Sequence, residues 1–295
     1  MTSTAVILPI LAALNAAQLN FLGFDHTWKS TNRTQDSFIT QYFPKTEELK
    51  KLSAKELSSC ASENVDVVNA FLKVKGFGEM QLDDPGEGGF AIASVLDILC
   101  KFRVKGKKSS LRVNVPGTSK IETFPAVCLK DGYTLRRLKD GACILTVDCE
   151  NGDRVCMIEA EKPLDGLELL EKIDSLSSAE YTDVTQGYDQ VFFPMVDYNQ
   201  KVDISWLEGM IYPPKWYISQ AVQITRFQMN EEGAAAQSAV AIGISKTCIR
   251  INDIFTITKP FYLWIERPNM TLKLFAGYCD TDCWKEPKGL GKARL

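Results

Sequence analysis

The run Ala5–Leu14 (AVILPILAAL) is almost wholly apolar and is followed by the small residues Ala16 and Ala17. A secretory leader shares that apolarity, but the positively charged start of such a leader is missing, so a retained, buried helix is expected within Met1–Ala17. Glu47–Leu57 (EELKKLSAKEL) shows the clearest helical spacing of the first 60 residues. Val65–Val74 (VDVVNAFLKV) is rich in β-branched and aromatic residues and predicts a strand. The dense turn signal Asp83–Gly89 (DDPGEGG) divides it from a second strand region, Ala91–Val104. Ala142–Val147 and Arg154–Glu159 flank Asn151-Gly152, a pair that supplies the positive φ of a tight hairpin. Leu164–Ile173 returns to helical spacing. Strands are predicted again at Val191–Tyr198, Tyr217–Met229, Asp253–Ile265 and Thr271–Tyr278. With no internal repeat, low-complexity tract or linker, the pattern predicts one α+β domain over residues 1–295, dominated by sheet.

Composition narrows the class of partner. A net charge of -3 over 295 residues gives no clustered cationic surface for phosphates, which excludes nucleic acid. No apolar run approaches the roughly 18 residues that span a bilayer. The nine cysteines are an odd count in a chain too large to need covalent staples. Reduced thiols and a cytoplasmic setting are expected, with secretion left open.

Catalytic constellations are lacking. The single histidine, His26, has no nucleophile context beside it and reads as a surface or capping residue. Gly289-Leu290-Gly291 lacks the flanking strand and helix of a pyrophosphate loop. Cys279 and Cys283, with Cys143, Cys149 and Cys156, do not have the spacing of paired zinc knuckles and read as half-buried thiols. The adjacent carboxylates Asp83-Asp84 and Glu231-Glu232 point apart along an extended chain and read as solvated turn residues. No enzyme, no cofactor and no metal site is expected.

The C-terminal third carries a resemblance. Ile218–Gly233 (ISQAVQITRFQMNEEG) followed by Ala234–Ala241 (AAAQSAVA) resembles the serpin strand that leads into the hinge of the reactive loop. Lys259–Ile265 (KPFYLWI) and Leu274–Cys279 (LFAGYC) are similar to the paired strands that close serpins, in a form close to that of poxviral members. Pro9–Ala17, Val67–Phe77, Val95–Lys107, Phe124–Cys128, the hairpin from Ala142 to Glu161, and Val191–Asp197 fall in the family's order. About four fifths of the chain can be placed.

The resemblance implies a single-domain serpin-like α+β fold, with large mixed sheets, a reduced set of helices and an exposed reactive loop at about 230–252. In that fold a cleaved loop slides into a sheet as an added strand. The hinge would be Glu231, Glu232, Gly233, Ala234, Ala235, Ala236 and Ser238. Alternation in a strand turns Ala234, Ala236, Ser238, Val240 and Ile242 inward, and Ala235, Gln237, Ala239, Ala241 and Gly243 outward. Neither proline nor charge interrupts Ala234–Ile244. The Ala-rich run opened by Asn230 also reads as a helix start, although Gly233 and the β-branched drift toward Ile244 oppose a long helix. Counting from the hinge glycine puts the cleaved bond near Thr247-Cys248, with Lys246, Thr247, Cys248 and Arg250 as candidates. Lys246 or Arg250 as bait suits trypsin-like proteases, and Thr247 suits small pockets.

Departures from the family set a second reading beside the first. Its first helix is missing, and between Phe77 and Ala91 a short turn-rich segment replaces two helices and an edge strand, including a helix that crosses the opening sheet. Leu11, Ala13, Cys100 and Gln223 stand where a polar network is usual, and Lys108 where an aromatic is. The first reading is an intracellular inhibitor of a serine or cysteine protease, with host-cell cytoplasm implied if the chain is viral. The alternative is a non-inhibitory module that binds another protein or self-associates through a sheet edge.

Overall fold

The computed structural model describes residues 2–114, 120–234, 253–288 and 290. Its largest sheet runs, in spatial order, β1 (Ser3–Thr4), β19 (Phe275–Cys279), β18 (Phe261–Glu266), β9 (Arg154–Glu159), β8 (Cys143–Asp148), β7 (Tyr133–Leu138) and β10 (Tyr181–Asp183). All of its pairs are antiparallel. The β8–β9 hairpin turns at Gly152, whose φ of 84° bears out the turn expected from Asn151-Gly152. A second sheet orders β17 (Asp253–Thr256), β11 (Tyr188–Pro194), β6 (Ile121–Leu129) and β5 (Lys107–Asn114), with β17 parallel to β11. A third joins β12 (Val196–Val202), β15 (Gln223–Asn230), β16 (Gly233–Ala234) and β4 (Cys100–Lys101). β2 (Leu57–Ser62) pairs with β3 (Ala91–Leu96), and β13 (Ile211–Tyr212) with β14 (Trp216–Tyr217).

The apolar N-terminal run forms α1 (Leu8–Ala17), with Pro9 in its first turn, where a missing N–H costs nothing. Leu8 and Leu11 are fully buried, and Ile10, Leu14 and Ala17 nearly so, as expected of a core helix. α2 (Arg33–Gln41) is capped by Asn32, whose side chain accepts from Gln35 N at 2.9 Å. α4 (Gly166–Ser177) buries Leu169, Leu170, Ile173 and Leu176, one helical face, as its spacing predicts. One core cluster extends from Ala5 to Trp284, with Trp264 and Trp284 almost wholly buried.

Three expectations are corrected. Val65–Val74 is a helix, α3, not a strand, and the strand expected over Val67–Phe77 does not form. Asn64 caps it by accepting from Asp66 N at 2.9 Å, and Val68 and Leu72, four apart, bury one face. That face sits on Ala91, Ala93 and Val95 of β3 as a small separate core. Between α3 and β3 the segment 78–90 holds neither helix nor strand, as the deletion expected between Phe77 and Ala91 implies. Glu47–Leu57 is not one helix either: a 3-10 segment occupies Phe43–Lys51, and Leu57 already opens β2. Glu56 folds back onto Ser53, accepting from both its N (2.9 Å) and Oγ (2.8 Å), which ends the helical path. Finally, Ala91–Val104 divides into β3 and β4, with Asp97–Leu99 outside both.

Candidate functional site

β15 alternates strictly. Gln223, Thr225, Phe227 and Met229 are buried, while Ile224, Arg226, Gln228 and Asn230 are half-exposed. After Asn230 the chain reverses within two residues and returns as β16, antiparallel to β15, with Met229 opposite Ala234 and Asn230 opposite Gly233. On its far side β16 pairs with β4, Gly233 opposite Lys101 and Ala234 opposite Cys100. Gly233 and Ala234 are thus a strand between two others.

Side chains and backbone pin this turn. Asn230 Oδ1 accepts from Glu232 N at 2.9 Å, Glu232 O from Phe102 N at 2.9 Å, and Glu231 O from Gly106 N at 2.7 Å. Lys105 Nζ lies 2.5 Å from Glu232. Glu231 and Glu232 are not solvated turn residues, as adjacency suggested. Glu231 is 5% exposed, with Lys108 Nζ at 3.9 Å and its Oε2 unpartnered among the described residues. Lys108, placed where an aromatic was expected, also bonds Glu286, which raises its pKa. Gly233 has φ 147°, and a Cβ there would stand 2.2 Å from Cys100 O and 2.8 Å from Lys101 Cα. Only glycine fits.

Beyond β16 the described residues place no strand between β3 and β15. β3 and β15 flank a cavity of about 570 Å³, lined by Ala91–Ile98 on one side and Ala221–Gln228 on the other. Its floor is α1, through Ile10, Ala13, Leu14 and Ala17, so Ala13, read as a lost polar position, lines the cleft. Leu11 is fully buried in the core beneath, and Gln223 donates to Val6 O at 3.0 Å. Across the outer face runs the segment joining α3 to β3, whose Phe77, Met80 and Leu82 line the same cavity.

Behind β4 stands an ionic cluster that sequence reasoning missed. Arg267 clamps Asp153 through Nε (2.7 Å) and Nη2 (2.9 Å), and Nη2 also reaches Glu56 Oε1 at 2.6 Å. The Arg267 guanidinium holds Glu56 well below the usual carboxylate range, at about 2. Cys100 Sγ is 3.8 Å from Asp153 Oδ2, and contact with Cys149 and burial both push its thiol up. Cys279 and Cys283, expected half-buried, are 3% and 4% exposed. The three cluster residues lie at positions 56, 153 and 267, too far apart in sequence for any local motif to join them.

The remaining hinge calls, Ala235, Ala236 and Ser238, and the scissile candidates Lys246, Thr247, Cys248 and Arg250 lie outside the described residues. The exposed reactive loop expected at about 230–252 is described only as far as Ala234 and again from Asp253.

No family model matches the sequence, and no curated protein matches it. Solved structures do. Uncleaved ovalbumin is similar with a TM-score of 0.59 at 12% identity, over 94% of this chain and 92% of that one. Serpin48 of the insect Tenebrio molitor gives 0.57 at 14% identity, over 91% and 94%. Thyroxine-binding globulin, in complex with thyroxine, gives 0.53 at 10% identity, over 95% and 96%. A strand, β16, set between β15 and β4 and likeness along more than nine tenths of these chains lead to one conclusion: this chain has the serpin fold.

Proposed function

We propose that this chain inhibits a serine or cysteine protease by loop cleavage and insertion, without catalytic groups or a cofactor of its own, as a single domain over residues 1–295. The register of β16 carries the reading. Continued without a bulge from Met229↔Ala234 and Ala234↔Cys100, it sets Ala236 opposite Phe227 and Ile98, and Ser238 opposite Thr225 and Leu96. Val240 would follow opposite Gln223 and Ser94, and Ile242 opposite Ala221 and Ile92. Partners in a ladder share a face. Phe227, Thr225 and Gln223 are buried, and Ile92, Leu96 and Ile98 pack against the main core. The inward set read from the sequence is the one this register would turn inward.

The outward set, Ala235, Gln237, Ala239, Ala241 and Gly243, is small apart from Gln237, which suits an outer face already occupied by α3 and the segment after it. The bait would be Lys246 or Thr247, with Cys248 and Arg250 beside them. Among the described residues eight thiols are unbonded, at Cys60, Cys100, Cys128, Cys143, Cys149, Cys156, Cys279 and Cys283, which supports a cytoplasmic setting.

One observation favours the second reading, a non-inhibitory binding module. β2 ends its two-stranded sheet, and Leu57–Ser62 carries no charge and no proline to guard the edge, which suits self-association or a partner's strand. Nicking the loop with a trypsin-like protease separates the two. Insertion raises the Tm of the nicked protein well above that of the intact one, and an unchanged Tm leaves only the binding module. Incubation with serine and cysteine proteases and a denaturing gel then reads the covalent adduct.

A further inference from the structure

One edge of β3 borders the cleft, and the other is paired by β2, the last strand on that side among the described residues. Asp97 N donates to Glu56 O at 2.7 Å, which with the register fixes the parity of this ladder. Ser58, Cys60 and Ser62 turn their backbone groups toward β3, and Leu57, Ser59 and Ala61 turn theirs outward. The 2.6 Å contact between the Ser59 and Ser94 hydroxyls agrees, since side chains approach most closely at pairs without ladder bonds. The Leu57 N–H is taken by Ser53 O at 3.0 Å, but among the described residues nothing bonds the backbone N–H or C=O of Ser59 and Ala61. α3 covers one face of β2 and α1 the other. On α3, Asn69 faces the cleft, donating to Leu82 O at 3.1 Å and accepting from Leu82 N at 2.9 Å, and Leu82 lines the cavity. At about 100° per residue Val67 and Val74 lie on the opposite flank, so they look out over the free edge, 49% and 84% exposed.

We propose that β2 is a docking edge for the β2 of a second copy of this chain, antiparallel about a dyad at Ser59. Parity admits as centre only a residue whose backbone turns outward. Of these, only Ser59 brings Lys55, in the turn before β2, beside the partner's Glu63, just after it. Each end of the pair then joins a cation to an anion, and between the ends Leu57–Ser62 has no charge to bury. Ser59 bonds the partner's Ser59 in both directions, and the Ala61 N–H reaches the partner's Leu57 carbonyl. A dyad through the sheet keeps like faces together, so the two α3 helices lie side by side and their exposed valines meet. A pair of this kind is isologous and stops at two chains. The proposal deepens the observation made of β2 above by naming its partner, and it rests on that free edge rather than on loop insertion.

Sedimentation over a concentration series reads the pair in wild type, Lys55→Glu, Glu63→Lys and the double exchange Lys55→Glu/Glu63→Lys. Both residues are exposed, so the variants leave the fold standing, which an unchanged urea midpoint checks. Wild type is expected to pass from monomer to dimer. Each single variant sets like charges together at both ends and dimerises at least about tenfold more weakly. The double variant regains wild-type affinity. So does a mixture of the two single variants, because each supplies the charge the other lacks. A monomer at every concentration overturns the pair, and a dimer equally tight in wild type and all variants overturns this edge and register. Because a loop can also join two copies, each sample is repeated after nicking the loop with a trypsin-like protease. The β2 pair survives nicking, and association lost on nicking overturns it. A charge-dependent dimer that gains no Tm on nicking upholds the pair and removes the insertion reading, and a monomer that gains Tm does the reverse.

Discussion

At Gly233 a single hydrogen in place of a methyl group decides whether β16 can lie where it does. A Cβ would collide with the Cys100 carbonyl and the Lys101 Cα, both backbone atoms that cannot swing aside. Gly233→Ala is expected to destabilise the protein by about 1–3 kcal/mol, from strain at a φ that side chains avoid and from displacement of β16. Urea denaturation checks it, and a midpoint equal to wild type would mean the β16–β4 pairing is not held. The Arg267 cluster gives a pH signature. Glu56 has a folded pKa of about 2 against an ordinary 4.5, so its contribution is fully present above 4.5 and is lost as pH falls toward 2. Glu56→Gln should therefore cost on the order of 1 kcal/mol at pH 7, after screening at a partly open site. The gap between variant and wild type should close between pH 4.5 and 2 in denaturant titrations. A gap constant across that window would show that the charge of Glu56 is not what Arg267 holds. At this scale Gly233 was legible only as a residue that opposes a long helix, and the backbone it meets at Cys100 and Lys101 was not, because those residues lie more than 130 positions away in sequence. The burial of Glu231 was not, because adjacency says nothing of what folds over a side chain.

Elements were legible where the period was long or the turn chemistry explicit. Leu164–Ile173 repeats its apolar residues over three turns, and Asn151-Gly152 supplies its own turn, so α4 and the β8–β9 hairpin came out as expected. Val65–Val74 misled because Val65, Val67 and Val68 favour a strand by composition, while Val65, Val68 and Leu72 keep helical spacing. Tertiary burial settled the matter. Val68 and Leu72 are buried, and Val67 and Val74 are left 49% and 84% exposed, an arrangement that a period of two cannot produce. Leu72→Ala should therefore cost about 2–4 kcal/mol by emptying the small core over β3, whereas Val74→Ala should change stability by less than about 0.5 kcal/mol. Thermal or urea unfolding distinguishes them. Equal losses at the two positions would restore the strand.

For the molecule as a whole, the question is whether the cleft and the hinge belong to one ladder. Order along the chain made the fold legible from strand-like stretches such as Lys259–Ile265 and Leu274–Cys279. The contacts of Arg226 with Gly76 and Glu79 were not legible, although the alternation of Gln223–Asn230 already set Arg226 apart from its buried neighbours. Its partners lie about 150 residues earlier, in a segment that reads only as turns. The register supplies a test of parity in which two neighbouring substitutions give opposite outcomes. Ala236→Arg would bring a guanidinium against Phe227 and Ile98 on the core side, where an unpaired charge costs several kcal/mol. Ala235→Arg would face outward beside Gln228, in reach of water. Both proteins should fold with wild-type Tm while intact. After nicking with a trypsin-like protease, Ala235→Arg should gain Tm as wild type does, and Ala236→Arg should gain little or nothing. Because the added arginines are themselves cleavable, mass spectrometry must place the cut beyond residue 243 in each sample. The opposite order of gains would shift the ladder by one residue, since a slip of one turns every inward side chain out, and equal gains in both would break the link between β16 and the cleft.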